Sequence, residues 1–227
     1  MGHISHLHVP RPWEGEVLTL TDPQIHYLRR VLRAGDLAPI TYTDGLGSVG
    51  SGSLVSDGIR RGDEFRVARP SPALTVAVAP PRASDRVRFV VEKLSELGVD
   101  RLLWLTTDFG QAKAPRTNKA ARWAGAALEQ SGGAWLMAID VCATLADLPP
   151  PTWVVHQGGG PLPPPTGSVT LVIGPEGGFS AQELARADTT LDLGARVLRV
   201  ETAAVVASGL VLRHLGRMNS YRGNFRS

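Results

Sequence analysis

Cysteine is nearly absent from this chain of 227 residues: Cys142 stands alone. That excludes an internal disulfide and a cysteine-based metal site. No apolar run approaches the ~18 residues of a membrane-crossing helix, so no such span is expected. The start has no basic region followed by an apolar one. No signal peptide is expected from it, and cytoplasmic residence is the default expectation. No G-x-x-x-x-G-K-[ST] loop occurs, so a triphosphate site of that kind is not expected. The spacing of His, Cys, Asp and Glu implies no metal. His3, His6 and His8 are close in sequence, but the expectation there is a frayed terminus. Acids are missing from two stretches, one between Asp108 and Glu129 and one after Glu201.

What remains suits an ordinary folded protein. Hydrophobic residues make up 43% of the chain, enough for a core. The formal net charge is +3 and the pI is near 9.4, a weak signal for a polyanionic partner. Residues 1–70 alternate short apolar stretches (Glu16 to Leu20, Ala38 to Tyr42, Phe65 to Ala68) with Gly/Asp turns. Asp44-Gly45 is a strong hairpin signal. One helix is predicted between them. Thr21 or Asp22 caps it, Pro23 is in its first turn, and Gly35 stops it. Ile25, Leu28 and Leu32 share one face, and Arg29, Arg30 and Arg33 the other. These arginines are candidates for phosphate contact, against a solvated helix face as the plain reading. Residues 1–70 hold eight acids and eight bases, so net charge does not decide.

Arg69-Pro70-Ser71-Pro72 is the predicted boundary between a domain of residues 1–70 and one of residues 73–227. Leu74 to Ala79 reads as a buried strand. Ser84 to Leu97 reads as an amphipathic helix on Val87, Val90, Val91, Leu94 and Leu97, capped by Ser84 and ended by Gly98. Leu102 to Leu105 completes a parallel βαβ unit. Ala121 to Leu128 is predicted helical. Trp153 to Val155 is predicted as a strand, with His156-Gln157-Gly158-Gly159-Gly160 as a glycine turn after it.

Leu171-Val172-Ile173-Gly174-Pro175-Glu176-Gly177-Gly178-Phe179-Ser180 runs from a buried strand through a glycine turn to a helix start. Ser180 and Glu183 form a capping box. Leu193-Gly194-Ala195-Arg196-Val197-Leu198-Arg199-Val200-Glu201-Thr202-Ala203 again leads into a helix. That helix is expected to run from Glu201 to about Met218 and to be apolar all round at its start, hence buried. Backbone groups at turns with apolar neighbours suit an adenine. The plain alternative is a set of tight connections with no ligand.

Together these two segments closely resemble the base-methylating SPOUT enzymes. The specific match is the ribosomal RNA small subunit methyltransferase E family, which methylates N3 of a uridine in 16S rRNA. "IGPEGGFS..E" is intact here. The second part, "LG.RVLR.ETA", holds except at Val200, where threonine is usual. Glu92, Lys93, Glu96, Leu97, Gly98 and Val99 fit "EK..ELGV", and His26 with Val31-Leu32-Arg33 fits an N-terminal pattern. The resemblance implies an α/β fold: a C-terminal trefoil-knotted SPOUT domain with a mostly parallel sheet, and a small N-terminal PUA-like β-barrel that binds RNA. It implies S-adenosyl-L-methionine as cofactor. The candidate cofactor residues are His156, Gln157, Gly158, Ile173, Gly174, Pro175, Glu176, Gly177, Leu193, Gly194, Val197, Leu198, Arg199, Thr202 and Ala203. It also implies a homodimer formed by the last helix, with ribosomal RNA or the small ribosomal subunit as partner.

Arg199 is the candidate to stabilise charge on the base, and Glu201 to orient that arginine or receive the proton. Capping the helix is the plain role for Glu201. Two arginines usual in the family are missing, near Phe109 and Gly110 and at Gly133 in Gln130-Ser131-Gly132-Gly133. Lys113, Arg116, Lys119 and Arg122 are candidates to compensate, with Lys113 and Arg116 foremost for RNA, against a mobile solvated loop as the plain reading. Their absence keeps two alternatives open: an RNA-binding relative with weak or no catalysis acting in ribosome assembly, or a SPOUT methyltransferase with a different RNA target. The tail arginines Arg213, Arg217, Arg222 and Arg226 either touch RNA or form a loose basic end.

Overall fold

Strand-forming stretches and glycine turns alternate through the first third of the chain, and the computed structural model folds them accordingly. It describes residues 4–142, 144–164 and 167–219. β1 (Ser5–His8), β2 (Val17–Thr19), β3 (Pro39–Thr43), β4 (Ser48–Leu54) and β5 (Gly58–Arg66) form one sheet in the order β1-β3-β4-β5-β2. The β1–β3 pair is parallel and the others antiparallel. The ladder is open between β1 and β2. Leu7, Trp13, Leu28, Ile40, Tyr42, Leu54 and Ile59 fill its core.

Asp44-Gly45 turns the β3–β4 hairpin as predicted. Asp44 Oδ1 accepts the N–H groups of Leu46 and Ser48 at 2.7 and 2.9 Å, and Arg11 Nε donates to Oδ2 at 2.8 Å. Burial pushes this carboxyl up, but Arg11 and the backbone donors outweigh it and hold Asp44 below the usual range. Tyr42 donates to Glu64 at 2.9 Å. Burial, then that carboxylate, push the phenol up to about 12.

The predicted helix differs in its second half. α1 (Asp22–His26) continues as a π-helical turn, Tyr27–Val31, and stops there rather than at Gly35. Arg33 takes the left-handed conformation, with φ 53°. Leu28 is buried and Leu32 exposed, because the wider turn rotates later residues off the predicted face. Arg29 donates to the carbonyls of Ala34 and Val55 and pairs with Asp36 at 2.6 Å. It holds the loop together, whereas Arg30 and Arg33 stand exposed.

His6 and His8 are not frayed. Both lie in β1, and His3 lies outside the described residues. His6 Nδ1 is 2.8 Å from Thr41 Oγ1, and Nε2 is 3.1 Å from the Gly133 carbonyl. The His8 N–H donates to Glu129 at 2.8 Å. Gly125–Leu136 therefore belongs to the same compact unit as the chain up to Arg69, although it lies far beyond the boundary read at Pro70.

The second compact unit holds Pro70–Ala124 and the chain from Met137 onward. Its strands are β6 (Leu74–Val78), β7 (Arg101–Leu105), β8 (Ala138–Cys142), β9 (Thr152–Gly160), β10 (Val169–Ile173) and β11 (Thr189–Leu191). All pair in parallel, in the order β11-β9-β10-β6-β7-β8. Every residue of β10 is buried, as expected of a parallel strand covered on both faces. Ala77, Leu103, Leu105, Cys142, Val154, Val172 and Phe179 form one core layer.

α2 (Ser84–Glu96) buries Val87, Val90, Val91 and Leu94 as its spacing predicts. Its N-cap is Ala83, not Ser84, with no side-chain cap. α3 (Thr117–Ser131) spans the division between the units. α4 (Ala181–Leu184) is short, and α5 (Val200–His214) packs against α2, β6 and β10. α5 ends before Met218. One face of it is buried, but Val206 and Leu210 are exposed, so the all-round burial expected of this helix is absent within one chain. Arg217 makes a nearly buried ion pair with Asp100 and donates to the Gly98 carbonyl at 2.6 Å. It is therefore a structural residue. Arg222 and Arg226 lie outside the described residues.

His6 generates a pH prediction. Burial lowers its pKa, the bond to Gly133 opposes this, and His8 lowers it further. The unfolded chain therefore binds this proton more readily than the folded one. The stabilisation is full above the ordinary histidine value and is lost as pH falls through the folded value. Thermal melts at about pH 7.5 and about pH 5.5 should show a drop that shrinks in His6→Gln. An equal drop in both proteins would remove His6 as its source.

Candidate active site

The loop after β10 is built by side chains of its own neighbourhood. A Cβ on Gly174 would meet the Phe179 ring at 2.7 Å, and one on Gly177 would meet Phe109 Cβ at 3.1 Å. Both glycines thus serve close packing within the chain. Of the turn's three glycines only Gly178 has positive φ, 73°, and its N–H closes a turn on the Pro175 carbonyl at 2.9 Å. The predicted capping box is present: Ser180 N–H donates to Glu183 at 2.8 Å, and Glu183 N–H to Ser180 Oγ at 3.3 Å. Glu183 also accepts the Asp108 N–H at 3.0 Å, and Ser180 Oγ donates to Asp108. The loop after β7 is thereby fastened to the loop after β10.

The segment after Val155 is not a turn. β9 continues through His156, Gln157, Gly158, Gly159 and Gly160. Gly159 serves backbone approach: a Cβ on it would meet the Leu191 backbone at 2.7–2.8 Å. Gly158 has φ 81°, and the β9–β11 register shifts at Thr190/Leu191. Asp192, just after β11, accepts the Gly194 N–H at 2.8 Å and the Gly158 N–H at 2.9 Å. Those bonds, Gly194 first, hold its carboxyl below the usual range. One carboxylate thus joins two of the predicted cofactor segments.

The surroundings leave room for a ligand. A Cβ placed on Gly158, Gly178 or Gly194 would meet nothing within 4 Å. Val197 is 84% exposed, and Leu193 and Leu198 are half-buried. Apolar side chains beside open glycine backbone fit an adenosyl group. Ile173 is buried at the end of β10, Gly174 and Pro175 are half-buried, and Glu176 and Gly177 are exposed.

Arg199 is the N-cap residue of α5 and is exposed. Thr202 is exposed and Ala203 buried. Glu201 is buried, with Oε1 3.5 Å from Arg86 Nε. Its Oε2 has no partner among the described residues. The cation that Glu201 meets is therefore Arg86 rather than Arg199. The sequence reading missed Arg86, and its only local signal is a charged residue one position before buried Val87.

Lys113 and Arg116 lie on one groove of about 590 Å³, with Arg82, Lys119 and Trp123. None of the predicted cofactor residues lines it. Phe109, where the family arginine is usual, is exposed. At Gly133 a Cβ would meet Leu128 Cδ1 at 2.6 Å.

The sequence model of the RNA methyltransferase domain matches residues 69–212. The chain belongs to this family. Family membership thus covers β6 to α5 and both loop motifs. Ribosomal RNA small subunit methyltransferase E of a Synechocystis strain is 28% identical, over 84% of this chain and 71% of that one. The enzyme of the same name from Rickettsia conorii is 24% identical, over 82% and 85%. The crystal structure of the Neisseria gonorrhoeae enzyme of that name, bound to S-adenosyl methionine, shares the fold. Its TM-score is 0.81 at 23% identity, with 93% and 98% of the chains covered.

Asp192 gives a sharp test of the site. Asp192→Ala should weaken titrated S-adenosyl methionine by about tenfold, as expected for lost charge-assisted bonds. The melting temperature should stay nearly constant, because the carboxylate is exposed. Undiminished affinity would show that the tie between Gly158 and Gly194 is irrelevant to the cofactor.

Proposed function

We propose that this chain is an S-adenosyl-L-methionine-dependent methyltransferase that modifies N3 of a uridine in small-subunit ribosomal RNA. The observation that carries this reading is the pair of intact loop motifs, after β10 and ahead of α5, within a matched RNA methyltransferase domain. The relatives' names supply the substrate class. When bound, the cofactor supplies the methyl group from its sulfonium. His156, Gln157, Gly158, Gly174 to Gly177, and Leu193 to Leu198 would hold it, chiefly by backbone groups and apolar contact. Thr202 and Ala203 close the site from α5.

The chain's own residues do the rest. A paired uracil hides N3, so the target base must be unpaired or flipped. N3 carries an imide proton that must leave. Glu201 Oε2, buried and without a partner among the described residues, is available to take it, with Arg86 steadying Oε1. Arg199, exposed at the start of α5, can stabilise the negative charge left on the base. Arg30 and Arg33 of the N-terminal unit, read as PUA-like, are free to meet phosphate.

Mass spectrometry of rRNA from a strain lacking the gene should show one 3-methyluridine lost from small-subunit RNA. An unchanged nucleoside profile would overturn the assignment. Glu201→Gln should retain cofactor binding while methyl transfer falls by about 100-fold or more. Full transfer activity in that variant would remove the proton-acceptor role.

The same reading includes a homodimer. Thr202, Val206 and Leu210 recur at four-residue spacing on α5 and so share a face. Val206 is 41% and Leu210 46% exposed. A second copy covering this stripe explains why the helix is apolar on a side that one chain leaves open. Wild-type protein should sediment as a dimer at micromolar concentration, and Val206→Glu with Leu210→Glu as a monomer. A monomeric wild type that still binds cofactor would refute the dimer.

A further inference from the structure

One groove of the RNA methyltransferase domain is separate from the predicted cofactor loops. Arg82, Lys113, Arg116 and Lys119 line it, with Trp123 and Pro115 as apolar surface. No carboxylate lines it, and the chain has no acid between Asp108 and Glu129. Trp123 is half-buried on α3, and the Lys119 ammonium stands 5.0 Å from its ring centroid. Arg82 donates to Gln111. A cationic wall beside an indole is the combination that single-stranded nucleic acid uses, phosphate on the cations and base on the ring.

Two further observations tie the groove to the proposed reaction. Arg82 is bonded to Gln111 in the loop after β7, two residues after Phe109, which packs against Gly177. It brings a cation to that loop from the chain ahead of α2. The first turn of α2 also serves both places: Ser84 and Val87 line the groove, while Arg86 of the same turn reaches Glu201.

We propose that this groove binds an unpaired nucleotide of the RNA substrate, with Trp123 as stacking platform and Arg82, Lys113, Arg116 and Lys119 as phosphate contacts. A base reaches the indole face by displacing Lys119, and the freed ammonium then meets the adjoining phosphate. Specificity for unpaired RNA follows, because a base inside a duplex cannot offer its face. The proposal rests on the reading of this chain as an RNA-modifying enzyme.

Fluorescence anisotropy of the full-length protein with a labelled single-stranded oligouridylate, against a labelled RNA duplex, tests it. The single strand should bind more tightly. Trp123→Ala should weaken it by about tenfold, the loss expected of one stacked base, while Trp123→Phe keeps most of the affinity. Arg82→Gln and Lys119→Ala should each flatten the salt dependence by about one phosphate equivalent. These two exposed positions read the groove should Trp123→Ala fold poorly. Cofactor titration should be the same in all variants. Equal binding of duplex and single strand, or wild-type affinity in Trp123→Ala with unchanged salt slopes in the charge variants, would overturn the proposal. A wild type that binds no cofactor but shows these RNA effects would sink the methyltransferase reading and leave the groove standing.

Discussion

Carboxylates accepting backbone N–H groups hold the parallel sheet and its loops in register. Asp100 accepts the Leu74 N–H at the start of β6, and Asp188 the Thr152 N–H at the start of β9, both at 2.7 Å. At the other end, Glu183 accepts from Ser180 and Asp108, and Asp192 from Gly158 and Gly194. Parallel strands leave N–H groups at their ends that no neighbouring strand can take. A charged acceptor makes roughly twice as strong a bond as a neutral one. Four side chains thus join segments far apart in sequence, and two of them, Glu183 and Asp192, set where the loops after β7, β10 and β11 lie.

Local chemistry was legible in the sequence. The spacing of Val87, Val90, Val91 and Leu94 gave α2, Asp44-Gly45 the hairpin, and Ser180 with Glu183 the start of α4. The two loop motifs gave the family. What escaped depends on distant partners or on context. β8 is an edge strand in which only Cys142 is buried, so its sequence carries little hydrophobic signal. Gly158-Gly159-Gly160 reads as a turn, but β9 continues through it and Gly159 lets the strand run close to the Leu191 backbone. Nothing near Gly125–Leu136 shows that it joins the first unit, because its partners are His6, His8 and Thr43, about 90 or more residues earlier.

The candidate site was legible in the same uneven way. Its glycine loops were marked by composition, but the reason for each glycine was not. Gly174 and Gly177 look alike on paper. One faces Phe179 and the other Phe109, whereas a Cβ at Gly158, Gly178 or Gly194 would meet nothing within 4 Å. Arg29, Arg30 and Arg33 likewise form one stripe on paper. A π-helical turn and the bonds from Arg29 to Ala34, Asp36 and Val55 separate them into one structural and two exposed residues.

Glu201 is where the structure departs from the plain reading with most consequence. A carboxylate in the first turn of a helix is ordinarily explained by the positive helix end. An oxygen doing that work by direct capping would accept a backbone N–H, and Glu201 makes no such bond among the described residues. Its side chain is instead buried beside Arg86, with Oε2 left unpartnered. Leaving a buried polar atom unsatisfied costs about 1–3 kcal/mol. A glutamine or an apolar residue would avoid the charge, and an exposed carboxylate would serve the helix end without the penalty. The buried, half-paired arrangement makes sense when a group that arrives later completes it, and under the proposed reaction the uracil imide proton is such a group.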